Sequence, residues 1–220
     1  MIIFDVSIPL AKQTVTWPGD EAVGISRSAA LSNGDPYNLS RISMSAHAGT
    51  HVDAPSHFLP DGKNVESLDL SILCGDVSVI DLPGIKLIHG SDLDGISIPA
   101  GTRRLLIKTD NSRIPVNERG FFHRDFSALS ESGAEYIIAK GIMLVGIDYL
   151  SIAPFDRPAR IHELLLSKEV IILEGLNLEK IEPGSYELYC LPLRIEGCEG
   201  SPARTILVRR EPRNGSLTST

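Results

Sequence analysis

Between Arg41 and Asp53 polar and apolar residues alternate with a period of two. Ile42, Met44, Ala46, Ala48, Thr50 and Val52 fall on one side, and Arg41, Ser43, Ser45, His47, Gly49, His51 and Asp53 on the other. This alternation predicts a half-buried β-strand whose polar face presents His47, His51 and Asp53 in one direction. Other runs are strand-like as well. Ile2 to Ile8 is one, Thr14 to Trp17 leads into the turn Pro18-Gly19-Asp20, and Asp76 to Leu82 alternates before Pro83-Gly84. Arg104 to Thr109, Ile142 to Ile147 and Glu169 to Leu173 are apolar through their middles, as strands covered on both faces are. Helical spacing marks Ala159 to Lys168 and Phe126 to Lys140. The latter stops at Gly141 and is interrupted by Gly133, so its first turn can be separate. Ser185 to Ile195 and Thr205 to Arg209 add strands near the end. Strands outnumber helices and gather at both ends. The pattern therefore predicts an α/β protein built on a mixed sheet rather than a repeated βαβ array.

The strand carrying His47, His51 and Asp53 cannot be straight if these side chains share a cation. Four residues of extended chain span ~13 Å, whereas ligands converge on one ion through bonds of about 2 Å. Gly49 is the position where a bulge or kink is easily adopted. A helix would also bring His47 and His51 together at i,i+4, but Gly49, Thr50, Val52 and Pro55 form helices poorly.

Composition narrows the function classes. The 220 residues contain no linker-like stretch, so we read one domain over 1–210, followed by a polar, frayed tail from Glu211 to Thr220. A hydrophobic content of 42% argues against disorder. The net charge of −7, without any Lys/Arg run, argues against a nucleic-acid groove or an anionic membrane surface as partner. No apolar stretch approaches the ~18 residues of a membrane span. The first residues lack the pattern of a secretory signal, which points to the cytoplasm. Cys74, Cys190 and Cys198 are odd in number and not in ligand spacing, so they read as reduced structural thiols.

What stands out chemically is that three of the six histidines, with Asp53, fall within the eleven residues from His47 to His57. Imidazole and carboxylate together suit zinc, manganese or iron. Without a cation, Asp53 in such a segment would lack a positive partner. Pattern alone does not locate the remaining ligands. Glu174 closes the apolar run Val170 to Leu173, which is costly for an acid unless something charged awaits it, and His162 lies in the second helix; both are candidates. His89 and His123 sit in ordinary turn and helix-start contexts. His57 suits proton transfer because imidazole titrates near neutral pH, or else supports the ligands from outside. Trp17, the only tryptophan, fits a core position or a substrate wall.

The stretch His47-Ala-Gly-Thr-His51-Val-Asp53-Ala-Pro55-Ser-His57-Phe58 resembles the HxGTHxDxPxH signature of the cyclase family, which includes bacterial kynurenine formamidases and isatin hydrolases. The likeness continues at Trp17-Pro-Gly-Asp20, Gly146-Ile-Asp148, Ile172-Leu-Glu174-Gly-Leu176, Tyr186-Glu-Leu, Leu191-Pro-Leu193 and Ser201-Pro-Ala-Arg204. It implies a swivelling β/β/α domain, assembled as a homodimer or homotetramer. The formamidase branch implies two divalent ions, zinc first and manganese as alternative. His47, His51 and Asp53 would hold one, with Asp53 bridging, His162 would hold the other, and Glu174 would contact both. His57 would be the proton shuttle and Trp17 would line an aromatic pocket. The isatin hydrolase branch implies a single manganese, and retention of both His162 and Glu174 favours two ions.

The implied activity is hydrolysis of an N-formyl aryl amine such as N-formylkynurenine, a step of tryptophan catabolism. Ring opening of a cyclic amide is the alternative among enzymes. A non-catalytic metal-binding protein is the reading from another class, and it predicts a closed coordination sphere. One departure stands against the family pattern: where Thr-Pro-Ser-x-Asp often follows Gly146-Ile-Asp148, this chain has Tyr149-Leu-Ser151-Ile-Ala153, a difference that bears on the substrate.

Overall fold

The computed structural model describes residues 1–114 and 120–210; the expected tail, 211–220, lies outside them. Strands β1 (Ile2–Asp5), β2 (Gly24–Ala29), β3 (Leu39–Ser43) and β4 (His51–Asp53) come first. A short helix α1 (Leu70–Leu73) leads into β5 (Cys74–Leu82), followed by β6 (Leu87–Ile88), α2 (Gly90–Asp94) and β7 (Arg104–Thr109). Then come β8 (Ala128–Leu129), α3 (Glu131–Ala139), β9 (Leu144–Ile147), α4 (Pro158–Leu166), β10 (Ile171–Glu174), β11 (Gly184–Pro192) and β12 (Gly200–Arg209). The main sheet runs β1-β12-β11-β5-β7-β9-β10-β4. Its centre, from β5 through β10, is parallel and its flanks are antiparallel, so the mixed α/β architecture is the one observed.

β4 decides the topology. It pairs with β10 on one side, through Ile172 opposite Asp53 and Glu174 opposite His51. On the other side it pairs with β12, through Gly200 opposite Asp53 and Pro202 opposite His51. Three residues thereby close the sheet on itself. The alternation of buried strands sorts side chains to two apolar layers. Leu105, Ile107, Val145, Ile147 and Ile172 face Ile137, Ile161 and Leu165 of the helices. Leu106, Leu144, Leu173 and Val52 face Leu73, Val77, Leu188 and Leu207. Continuous apolar runs at β7, β9 and β10 follow from this double covering.

Three elements differ from the expectation. Thr14 to Trp17 forms no strand, although the turn that follows it is present, the Asp20 amide donating to the Trp17 carbonyl at 3.0 Å. The alternating stretch 41–53 is not one strand. β3 ends at Ser43 and β4 starts at His51, with a turn between them in which Gly49 adopts φ +68°. In the β2–β3 ribbon Ile42 is 60% exposed, so the period-two pattern there has no core beneath it. The stretch 126–140 is not one helix either. Ala128–Leu129 is the strand β8, parallel to β6, and α3 starts after Ser130, whose side chain accepts from the Gly133 amide. Gly133 has a packing reason, since a Cβ there would lie 2.5 Å from the Ile88 carbonyl oxygen. Among the described residues no helix is long and apolar enough to cross a membrane.

Candidate metal centre

Two backbone turns meet where the site is built. Thr50, buried beside Gly49, accepts the Ile8 amide at 2.8 Å and donates to the Gly175 carbonyl. It thus ties the turn before β4 to the turn after β10. Gly175 adopts φ +67°, and a Cβ on it would lie 2.1 Å from the Gly49 carbonyl oxygen. No side chain fits there. Gly175→Ala combines a left-handed backbone with a clash against main chain, and we expect a loss of about 3–4 kcal/mol from strain and overpacking together. A denaturant midpoint unchanged from wild type would refute that closeness.

The close approach sets the ligand-type side chains of β4 and the turn before it, of β10 and of α4 against each other. His47 Nδ1 lies 2.8 Å from Asp53 Oδ1, and His51 Nε2 lies 3.4 Å from the same oxygen. Glu174 directs Oε2 at His51 Nε2, 3.3 Å away, and Oε1 at His162 Nε2, 3.1 Å away. Asp53 Oδ2 faces His162 Nε2 at 3.5 Å. Asp53 therefore addresses three imidazoles and Glu174 two. Two overlapping groups result, His47/His51/Asp53 and Asp53/His162/Glu174, in each of which one ligand atom per residue lies within 4.8 Å of the others. His51 Nδ1 donates to the Gly49 carbonyl at 2.9 Å and His162 Nδ1 to the Pro158 carbonyl at 2.7 Å. A carbonyl only accepts, so both rings carry their outer proton on Nδ1 and aim Nε2 inward.

Asp53 is fully buried and Glu174 nearly so. Taking two carboxylates out of water costs several kcal/mol each unless opposite charge meets them. Here the histidines meet it. Burial pulls the His47 pKa down, but the charge and hydrogen bond of Asp53 prevail and raise it to about 9. Burial likewise opposes His162, whose contacts with Asp53 and Glu174 carry it to about 10. Burial would raise Asp53, yet His47, His162 and His51 hold it well below the usual carboxylate range. Glu174, raised by burial and by the charge of Asp53, is lowered on balance by His162 and His51. Protons thus do a cation's work in this centre. His47 Nε2, His51 Nε2 and Asp53 Oδ2 are buried without hydrogen-bond partners. Orphaned N and O donors around two ionised acids fit a divalent cation.

His57, on the 3-10 turn Pro55–His57, stacks on His47 with ring centroids 4.0 Å apart and lies 6.0 Å from His162. Burial, helped by the neighbouring His47 and His162, holds its pKa below the ordinary imidazole value. Phe58 stacks on His162 at 4.6 Å and walls the centre. Trp17 is not among the rings touching these histidines. It packs in an aromatic cluster with Phe122 and Phe155, each at 5.2 Å, and Phe126 at 6.4 Å. Sequence reasoning passed over Thr50, Phe58 and Glu199, whose Oε1 lies 3.4 Å from His47 Nε2. Thr50 and Phe58 flank the histidines in sequence, but Glu199 carries no local signal and reaches His47 only through the β4–β12 pairing.

The family profile described as "Putative cyclase" matches residues 4–154. The chain belongs to the cyclase family. Cyclase-like protein 3 of Arabidopsis thaliana is 36% identical to it over 94% of this chain and 79% of the relative. A kynurenine formamidase of Bacillus mycoides (strain KBAB4) is 35% identical over 92% of this chain and 95% of the relative. A solved structure described as a potential metal-dependent hydrolase with cyclase activity superposes with a TM-score of 0.80 at 33% identity, covering 96% of this chain and 99% of that one. This cyclase-family chain keeps the whole HxGTHxDxPxH stretch, and its histidines and acid converge in space as well as in sequence.

Proposed function

We propose that this protein is a metal-dependent amide hydrolase of the arylformamidase kind, cleaving an N-formyl aryl amine such as N-formylkynurenine to formate and the free amine. One observation carries the reading: the buried Asp53 faces three imidazoles and the buried Glu174 two, so that they form two adjoining donor sets. The match to a kynurenine formamidase along nearly its full length supports the substrate class.

His47, His51 and Asp53 would hold one divalent ion, and His162 with Asp53 and Glu174 a second, zinc being the first choice and manganese the alternative. When bound, such ions supply Lewis acidity, drawing the pKa of water from about 16 towards 7 and polarising a carbonyl. His57 moves the proton. Its lowered pKa leaves the ring neutral at pH 7, able to accept a proton from the attacking water at a ring nitrogen and return it to the leaving amine. The new C–O bond forms first, at the acyl carbon; the C–N bond then breaks as the nitrogen gains the proton from His57, and the amine departs neutral. Trp17 and the rings packed on it would supply the apolar surface for an aryl group. Tyr149 and Leu150, where the chain departs from the family pattern, line a cavity of about 380 Å³ with Ile8, Val15, Phe121 and Leu176. The working form is a cytoplasmic homodimer or homotetramer.

Metal loading must displace protons. With His47 at about 9 and His162 at about 10, both are protonated at pH 7 in the metal-free centre. Uptake should release about two protons, and the apparent affinity should rise with pH up to about 10, less steeply once His47 has lost its proton near 9. Calorimetry in buffers of different ionisation heat checks this; release of no protons would contradict the assignment of these two residues.

The deciding experiment is elemental analysis of the purified protein together with formate release from N-formylkynurenine, repeated with isatin as the cyclic amide. Formate released by the loaded protein, lost on chelation and restored by zinc or manganese, supports the reading. Turnover of isatin alone favours ring opening, and metal uptake with neither turnover favours the binding protein.

A further inference from the structure

Two of the three imidazoles in the centre have their outer nitrogen fixed by a backbone carbonyl, His51 by Gly49 and His162 by Pro158. His47 has no such carbonyl. Its inward atom is Nδ1, 2.8 Å from the Asp53 oxygen that His51 Nε2 also faces. Nε2 therefore points away from the acids, buried and without a hydrogen bond. The acid in front of it is Glu199, with Oε1 3.4 Å away.

The fold places Glu199 there deliberately close. The Ala54 amide donates to the Glu199 carbonyl at 2.8 Å, extending the ladder in which Gly200 pairs with Asp53. The ring of His47 is held between His57, stacked on it at 4.0 Å, and Gly200, where a Cβ would come within 2.6 Å of His47 Cε1. Only a residue without a side chain at position 200 lets the ring lie against β12, and that places its outer edge beside residue 199. The Glu199 side chain is 45% exposed, free to close the remaining few tenths of an ångström, while Cys198 Sγ donates to its other oxygen at 3.6 Å.

We propose that Glu199 is a positioning residue of the metal centre, its carboxylate accepting the Nε2 proton of His47 so that Nδ1 is presented, unprotonated, to the cation. Of the three rings, only His47 is then held by a charge rather than a carbonyl dipole. A carboxylate in that place fixes tautomer and orientation and makes the imidazole a more basic ligand. The inference rests on the metal reading above.

Zinc affinity measured by chelator competition tests it in wild type, Glu199→Gln and Glu199→Leu, alongside urea unfolding of each metal-free protein. Glu199→Leu should bind about 10–100-fold more weakly, the range seen when an outer partner of a ligating histidine is lost. Glu199→Gln, which keeps an acceptor but no charge, should fall between. Metal-free stability should fall far less than affinity in both, since the Glu199 side chain is 45% exposed and water screens its pairing with His47. Equal affinity in all three proteins would overturn the proposal, as would a loss of metal-free stability in step with affinity, which marks a merely structural role. If wild type itself takes up no zinc, the functional reading fails first, an outcome distinct from wild type binding and the variants matching it.

Discussion

Asp53→Ala is expected to leave the protein without metal and without measurable amide hydrolysis. Asp53 belongs to both donor groups, offering Oδ1 beside His47 and His51 and Oδ2 toward His162, so one substitution opens both. Loss of an outer partner costs about 10–100-fold in affinity, and a ligand shared between two ions should cost more than that. The metal-free protein is affected too. Removing one member of a buried ion pair typically costs about 3–5 kcal/mol, because the remaining charge stays buried without compensation. This deficit depends on pH in a definite direction. The folded pKa of His47 lies near 9 against 6.5 for the free side chain, so its pairing with Asp53 stabilises the fold fully below about 6.5 and fades as pH rises through 9. Asp53 is lowered, so its share is present above about 3.8 and fades as pH falls below that. His162, carried to about 10 in part by Asp53, adds a share that fades only as pH rises through 10. The gap between wild type and Asp53→Ala should therefore be widest between pH 4 and 6.5 and narrow above 10. Urea unfolding of the metal-free proteins across pH measures it, and full metal stoichiometry in the variant would refute the shared-ligand role.

The parts of the fold legible in the sequence were those where both faces of a strand are buried. β7, β9 and β10 appear as apolar runs because packing on two sides leaves no room for alternation, and the observed strands fall within a residue or two of those runs. The stretch 41–53 misled because alternation reports a period, not a core. In β3 the pattern lies on an open ribbon, and the bend at Gly49, foreseen for the sake of ligand convergence, ends one strand and starts another. The Phe126–Lys140 segment misled because Ala128 and Leu129 fit helix and strand equally until β6 pairs with them.

The site was legible for a similar reason. His47, His51, Asp53 and His57 are close in sequence, and burial of unpaired polar groups is costly enough that their chemistry shows through composition. Glu174 betrayed itself as an acid ending an apolar strand, and β10 places it directly opposite His51. His162 was only one imidazole in an amphipathic helix, and its partner, the Pro158 carbonyl, is a feature of helix geometry that spacing alone does not announce. Glu199 was silent. It depends on β4 closing the sheet between β10 and β12, a long-range pairing with no local trace.

His57→Ala should separate chemistry from metal binding. The ring stands outside both donor groups, stacked on His47 rather than aimed at the acids, so the variant should keep its metal stoichiometry. Turnover should nevertheless fall by about 10²–10⁴-fold, the usual contribution of a positioned general acid–base. Its pKa, held below 6.5 by burial with help from His47 and His162, puts the acidic limb of the wild-type kcat/KM profile below pH 6.5, and that limb should vanish from the variant's residual rate. Imidazole added to His57→Ala should restore part of the rate if a proton carrier is what was lost, whereas a packing defect would not respond. Retained turnover would remove His57 from the reaction. Loss of metal would instead make it a ligand, drawn in from its stacked position when ions bind, and the proton transfer would then have to be assigned to another group.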